Sequence, residues 1–197
     1  MNRTGITALL AFATLLTAAA PAFGQGQIEL EGDRQRKLLR YMDLAKGCPA
    51  EGLLRGMDPN IDSILVNLLH DKDTPLRYRL YAVDCLGYFN NKRSQQVLAS
   101  LLGDPTWDKV YRLRAMGASA RAMGVDILEE LMEACNDRDA ETRAAAVGAI
   151  GWINVQRAHS FLQHLKTRER DPEVIQAITE SLKRIPADPI RPPDTGI

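Results

Sequence analysis

Three histidines, three cysteines and a pair of closely spaced aspartates are the residues of this chain whose types invite a chemical reading. His159 and His164 are five positions apart, which on a helix turns their side chains about 140° away from each other and prevents them from sharing a metal ion. His70 stands alone at a helix end. Asp71 and Asp73 have the spacing of calcium-loop ligands, but the other oxygen donors are missing and helix capping accounts for both. There is no cysteine pair at ligand spacing, no glycine-rich phosphate loop, and no serine or cysteine nucleophile in a recognisable elbow. The residue types therefore predict no catalytic site, no metal site and no cofactor. A protein without enzymatic activity is expected, and an enzyme would need residues assembled from distant parts of the chain.

The elements that position these side chains repeat. Arg79-Leu-Tyr-Ala82-Val-Asp-Cys85-Leu86-Gly87 aligns with Arg112-Leu-Arg-Ala115-Met-Gly-Ala118-Ser119-Ala120, with Arg143-Ala-Ala-Ala146-Val-Gly-Ala149-Ile150-Gly151, and with Ile175-Gln-Ala-Ile178-Thr-Glu-Ser181-Leu182-Lys183. Their first residues, 79, 112, 143 and 175, step by 33, 31 and 32. A fixed period of this size means stacked supersecondary units, none able to bury its apolar face alone. Leu76, Leu80, Val83, Leu86 and Phe89 follow helical spacing, and no alternating strand pattern competes. Breakers at 71–75, 90–91, 103–105, 124, 136–137, 154 and 171–172 divide the chain into helix pairs. First helices are expected over 74–89, 106–123, 138–153 and 172–185, and second helices over 92–102, 125–135 and 155–168. A divergent pair, 33–46 and 61–70, joined by a Gly- and Pro-containing loop, precedes them.

Residues 1–24 read as a signal peptide: Arg3 is the only charge, 6–20 are apolar, and Ala20-Pro-Ala-Phe-Gly-Gln25 offers small residues at cleavage spacing, after Ala22 or Gly24. The apolar run is shorter than the ~20 residues of a membrane anchor. The expected location is periplasmic or secreted, with no stable membrane insertion once the leader is cleaved. The whole chain balances 25 Lys and Arg against 25 Asp and Glu, and removing Arg3 with the leader leaves a slight acidic excess. Such a balance argues against nucleic acid as a partner. Residues 25–185 form the helical domain, and the proline-rich 186–197 read as a disordered tail.

An odd cysteine count leaves at least one free or paired with another molecule. Cys85 fills the small slot taken by Ala118, Ala149 and Ser181, and Cys135 matches Leu69 and Leu102, so both belong to the core. Cys48 lies in a loop before Pro49; whether it bridges to Cys85 stays open. Cys85 and Cys135 occupy different layers, beyond the ~7 Å Cα separation that a bridge tolerates.

An Asp, an Arg six residues later, small residues three and six after it, and an aliphatic-Gly close resemble the HEAT repeat, in the short form also found in phycobilisome-lyase-type proteins. The resemblance spans about 65–185 and implies an all-α, right-handed α-solenoid of about four to five stacked antiparallel helix pairs. It also implies a ladder of charge-assisted hydrogen bonds between repeats. By position Asp73 goes with Arg79 and Asp137 with Arg143; Arg112 has Thr106 in the acidic position, and the last unit has Glu169 but Ile175. Lyase activity does not carry over, because no catalytic residue matches.

In such solenoids the second helices usually line the concave face. Their outward positions here are Arg93, Gln95 and Gln96, then Asp126, Glu129, Glu130 and Glu133, then Arg157, His159, Gln163 and Lys166: an acidic strip beside basic ones, suited to a mixed-charge protein segment. A second column, Tyr88, Arg121, Trp152 and Arg184, alternates aromatic and guanidinium groups, either to stack on one another or to receive a ligand. The expected function is an exported adaptor or assembly scaffold holding another protein on its concave face. A self-associating structural module is the alternative, an enzyme subunit the next; partner identity and oligomeric state stay open.

Overall fold

Helical periodicity is realised throughout residues 23–185, which the computed structural model describes. The expected leader, apart from Phe23 and Gly24, and the expected proline-rich tail lie outside the described residues. Ten α-helices follow in order: α1 Phe23–Ala45, α2 Glu51–Met57, α3 Ile61–His70, α4 Leu76–Leu86, α5 Lys92–Gly103, α6 Lys109–Met123, α7 Leu128–Ala134, α8 Ala140–Ile150, α9 Gln156–Arg168 and α10 Pro172–Arg184. A 3₁₀ turn, Gly124–Ile127, leads into α7, and Gly124 there has φ +60°, a conformation that favours glycine. None of the described helices is long and apolar enough to cross a membrane.

The helix starts are set by short polar side chains. Asn91 accepts from the Ser94 N–H, Asp139 from the Thr142 N–H, and Asp171 from the Glu173 and Val174 N–H groups, with Pro172 in the first turn of α10. Just ahead of α4, α6, α8 and α10 one acid recurs: Asp71, Asp104, Asp137 and Glu169 each accept the N–H two residues on, at 2.8–3.0 Å. Asp71 closes this turn but does not cap α4, whose N-cap residue is Pro75 with no side-chain cap, and its carboxyl sits below the usual range because Thr74 and the Asp73 N–H bond to it. Asp73 and Thr106 do not cap either, because the stretches from Asp71 to α4 and from Asp104 to α6 are two residues longer than that from Asp137 to α8.

Two features depart from the sequence reading. α2 forms where a loop was expected; Glu51-Gly-Leu-Leu-Arg-Gly-Met has seven residues and two glycines, too few for a periodic signal, and it is anchored by the fully buried Leu54. The helix pairing is also shifted by one: α3 packs on α4, α5 mainly on α6, α7 on α8 and α9 on α10. The acidic turns are the connections within pairs.

One layer of the stack is closely packed and the other is splayed. α4, α6, α8 and α10 each pack directly on the next, while grooves separate α5 from α7 and α7 from α9. Ala82, Ala115, Ala146, Cys85, Ala118 and Ala149 are 0–1% exposed, which keeps the first layer thin. The close-packed layer of α4, α6, α8 and α10 is termed the inner layer below. The second helices, expected to line the concave face, make up the other, splayed layer, termed the outer layer below.

Two apolar clusters fill the interior, one from Leu38 to Ala122 and one from Met116 to Ile185, and Leu102 and Met123 pack against both. Cys48 and Cys85 form a disulfide that ties the loop after α1 to α4, with Cα atoms 5.3 Å apart. Cys135 is free and buried.

Candidate functional site

The alternating column lies along one edge of the inner layer, and it forms a continuous stack. The Arg121 guanidinium sits 5.8 Å from the Tyr88 ring and 5.6 Å from the Trp152 ring; Arg184 covers Trp152 at 5.2 Å. Each arginine is fixed by a hydrogen bond. Arg121 Nη2 donates to the Asp84 carbonyl at 3.0 Å, and Arg184 Nη2 to Ser181 Oγ at 3.1 Å. The closing glycines make room for them: a Cβ on Gly87 would stand 3.0 Å from Arg121 Nη2, and one on Gly151 would stand 2.9 Å from Arg184 Nη2. Trp152 is nevertheless 53% exposed, so the stack holds an indole between two guanidinium groups with about half of its surface open to solvent.

Charge surrounds this edge. Asp84 accepts from Arg114 at 2.9 Å, and burial pushes its carboxyl above the usual range against the pull of Arg114 and Arg121. At the opposite, N-terminal ends of the same helices, Lys109 bridges Asp139 and Glu141, each at 2.7 Å, and holds the Asp139 carboxyl down at about 2. These pairs join successive repeats and orient the inner face; none of them is a nucleophile set beside a base.

The expected Asp–Arg ladder takes another form. No ion pair joins Asp73 to Arg79 among the described residues; Arg79 instead lies 5.9 Å from the Tyr111 ring. Arg112 donates to the Trp107 carbonyl at 3.1 Å. Arg143 reaches the carbonyl of Asp137, not its carboxylate, and forms a two-pronged pair with Glu169 of the next unit, at 2.9 and 3.1 Å. The guanidinium holds the Glu169 carboxyl at about 2. The physical reason is direction: the Asp137 carboxylate already caps the Asp139 N–H, which leaves its carbonyl toward Arg143.

The outer layer carries the remaining expected residues. Gln96, Asp126, Glu129, Glu130, Glu133, Arg157, Gln163 and Lys166 are exposed. Gln95 is half-buried and its amide donates to Asn90 at 2.7 Å. Arg93 is exposed and pairs with Asp62 at 3.5 Å. Glu129 pairs with Arg157 across the α7–α9 groove. His159 does not belong to this surface: it is 7% exposed, on the face of α9 that turns into the core with Ala158 and Leu162. Among the described residues no group of three or more His, Cys, Asp or Glu side chains is placed to hold a metal.

Sequence reasoning missed Glu169 as the partner of Arg143, the grooves beside α7, and the cross-repeat role of Lys109. The recurrence of an acid before each inner helix was visible and would have found Glu169. The grooves had no such signal, since they arise where the short α7 starts one 3₁₀ turn late.

No curated protein matches the chain. Residues 106–183, from the turn before α6 nearly to the end of α10, match the family model for HEAT repeats. The match coincides with the all-helical stack of pairs and supports reading the chain as a HEAT-repeat protein.

Proposed function

We propose that this protein is an exported, non-catalytic scaffold that binds a segment of another protein on its inner face, with Trp152 as the central contact. The observation that carries this reading is the indole itself: a large apolar side chain more than half exposed, yet held between two anchored guanidinium groups. Tryptophan and arginine in a rigid setting are the residue types that dominate binding energy at protein interfaces. Stacked helices present them without an ordering cost at the moment of binding. HEAT repeats are commonly protein-interaction scaffolds, and the match over 106–183 supports that role here. Export is supported by the leader-like first 24 residues and by the Cys48–Cys85 disulfide, which suits an oxidising compartment.

The test is mild crosslinking of the mature protein in its native exported fraction, followed by mass spectrometry of the linked residues. A specific partner joined through the exposed Lys183 of the inner layer is expected. Recovery of monomer alone, or of copies of the same chain, contradicts the reading.

A further inference from the structure

We infer that the groove between α5 and α7 is a second docking site, which receives a positively charged protein segment through one apolar side chain. Its floor is Ala99, Leu102, Met116, Ile127 and Leu131, with Glu130 at the rim, and its volume is ≈ 360 Å³. That lies within the range of small binding pockets. The groove exists because α7 starts one 3₁₀ turn late and has only seven residues, so it stands off from α5 where its counterpart pairs in the inner layer close up.

Charge selects the occupant. Asp126, Glu130 and Glu133 are exposed along the same ridge, and none takes part in an ion pair among the described residues, whereas Glu129 beside them is matched by Arg157. Glu130 and Glu133 also rim the polar grooves on the far side of α7. An apolar slot edged by Glu130, with Asp126 and Glu133 exposed on the same helix face, fits a segment whose aliphatic or aromatic side chain is flanked by lysine or arginine. The site lies on the opposite layer from Trp152 and does not depend on that contact.

The experiment uses a fluorescently labelled synthetic peptide with a single leucine flanked by lysines, and a control with glycine replacing the leucine, titrated by anisotropy against the whole mature protein. Saturable binding is expected that weakens as salt is raised from ~0.05 to ~0.5 M. Roughly tenfold losses are expected for the glycine peptide, for the Glu130→Lys/Glu133→Lys variant, and for Ala99→Trp, which fills the groove. All three sites are exposed, and circular dichroism serves as the check that the variants fold. Trp152→Ala keeps peptide binding, which separates this site from the inner face. Equal binding of both peptides would reduce the effect to plain charge attraction and overturn the inference, as would unchanged binding by the charge-reversed protein or no saturation at all. Concentration-dependent self-association abolished by Ala99→Trp would assign the groove to a second copy of the chain and overturn it too.

Discussion

Gly87 rests against the backbone of Ala118 in the next repeat: a Cβ on Gly87 would stand 2.8 Å from Ala118 Cα and 2.9 Å from its carbonyl oxygen. Backbone cannot swing away as a side chain does. Gly87→Ala is therefore expected to overpack the α4–α6 contact, cost about 1–3 kcal/mol and lower the melting temperature by several degrees. Gly148, in α8, has no atom within 4 Å of its built Cβ. Gly148→Ala is expected to stabilise by about 0.5–1 kcal/mol through helix propensity alone. Thermal melts of the two variants check both signs; stabilisation of Gly87→Ala would remove the glycine from the packed interface.

The Arg143–Glu169 pair joins the last two units with side chains only 16% and 9% exposed. Arg143→Ala leaves the carboxylate without its main partner, and a loss of about 1.5–3 kcal/mol is expected by denaturant unfolding. The pH dependence has a definite sign. Folding lowers the Glu169 carboxyl from its ordinary 4.5 to about 2, so the pair's contribution is complete above pH ~4.5 and fades as pH falls toward about 2. Glu169→Gln should flatten that stretch of the stability profile; an unchanged acid limb would assign it to other carboxylates.

How much of this was legible in the sequence depended on what each feature repeats. The 79, 112, 143 and 175 alignment located every inner helix, because small residues must recur wherever thin helices stack. The Tyr88–Arg121–Trp152–Arg184 stack followed from the same alignment. Helix pairing did not, since period alone does not say whether Lys92–Gly103 packs more on α4 or on α6. His159 was misplaced for a related reason: outward and inward positions on α9 depend on which neighbour it packs against. Arg79 and Arg112 share the Arg143 position, but the preceding acid, Asp71 or Asp104, stands two residues further from the helix than Asp137 does, so one motif yields three different contacts.

The disulfide closes a loop of 37 residues between Cys48 and Cys85. Loop-closure entropy for that length corresponds to about 3–4 kcal/mol. Cys48→Ser, or reduction of the native protein, is expected to lower stability by up to that amount while leaving α6 to α10 helical. Hydrogen exchange would locate the loss in α1 to α4; a uniform loss over all repeats would show instead that the stack unfolds as one unit.

Burial pushes the Cys135 thiol up to about 12, so it is not a nucleophile near neutral pH. Iodoacetamide should leave the folded protein unmodified at Cys135 and label it after denaturation. Rapid labelling of the native protein, read by mass spectrometry, would show that this part of the stack opens readily.

The most direct test of the central claim is a paired measurement on Trp152→Ala: recovery of the crosslinked partner alongside circular dichroism and the melting curve. With the indole acting as a binding contact, partner recovery falls about tenfold or more while helicity and melting temperature stay close to those of the parent protein. Full recovery of the partner from a protein that melts several degrees lower would contradict the claim and leave Trp152 as a packing residue of the stack.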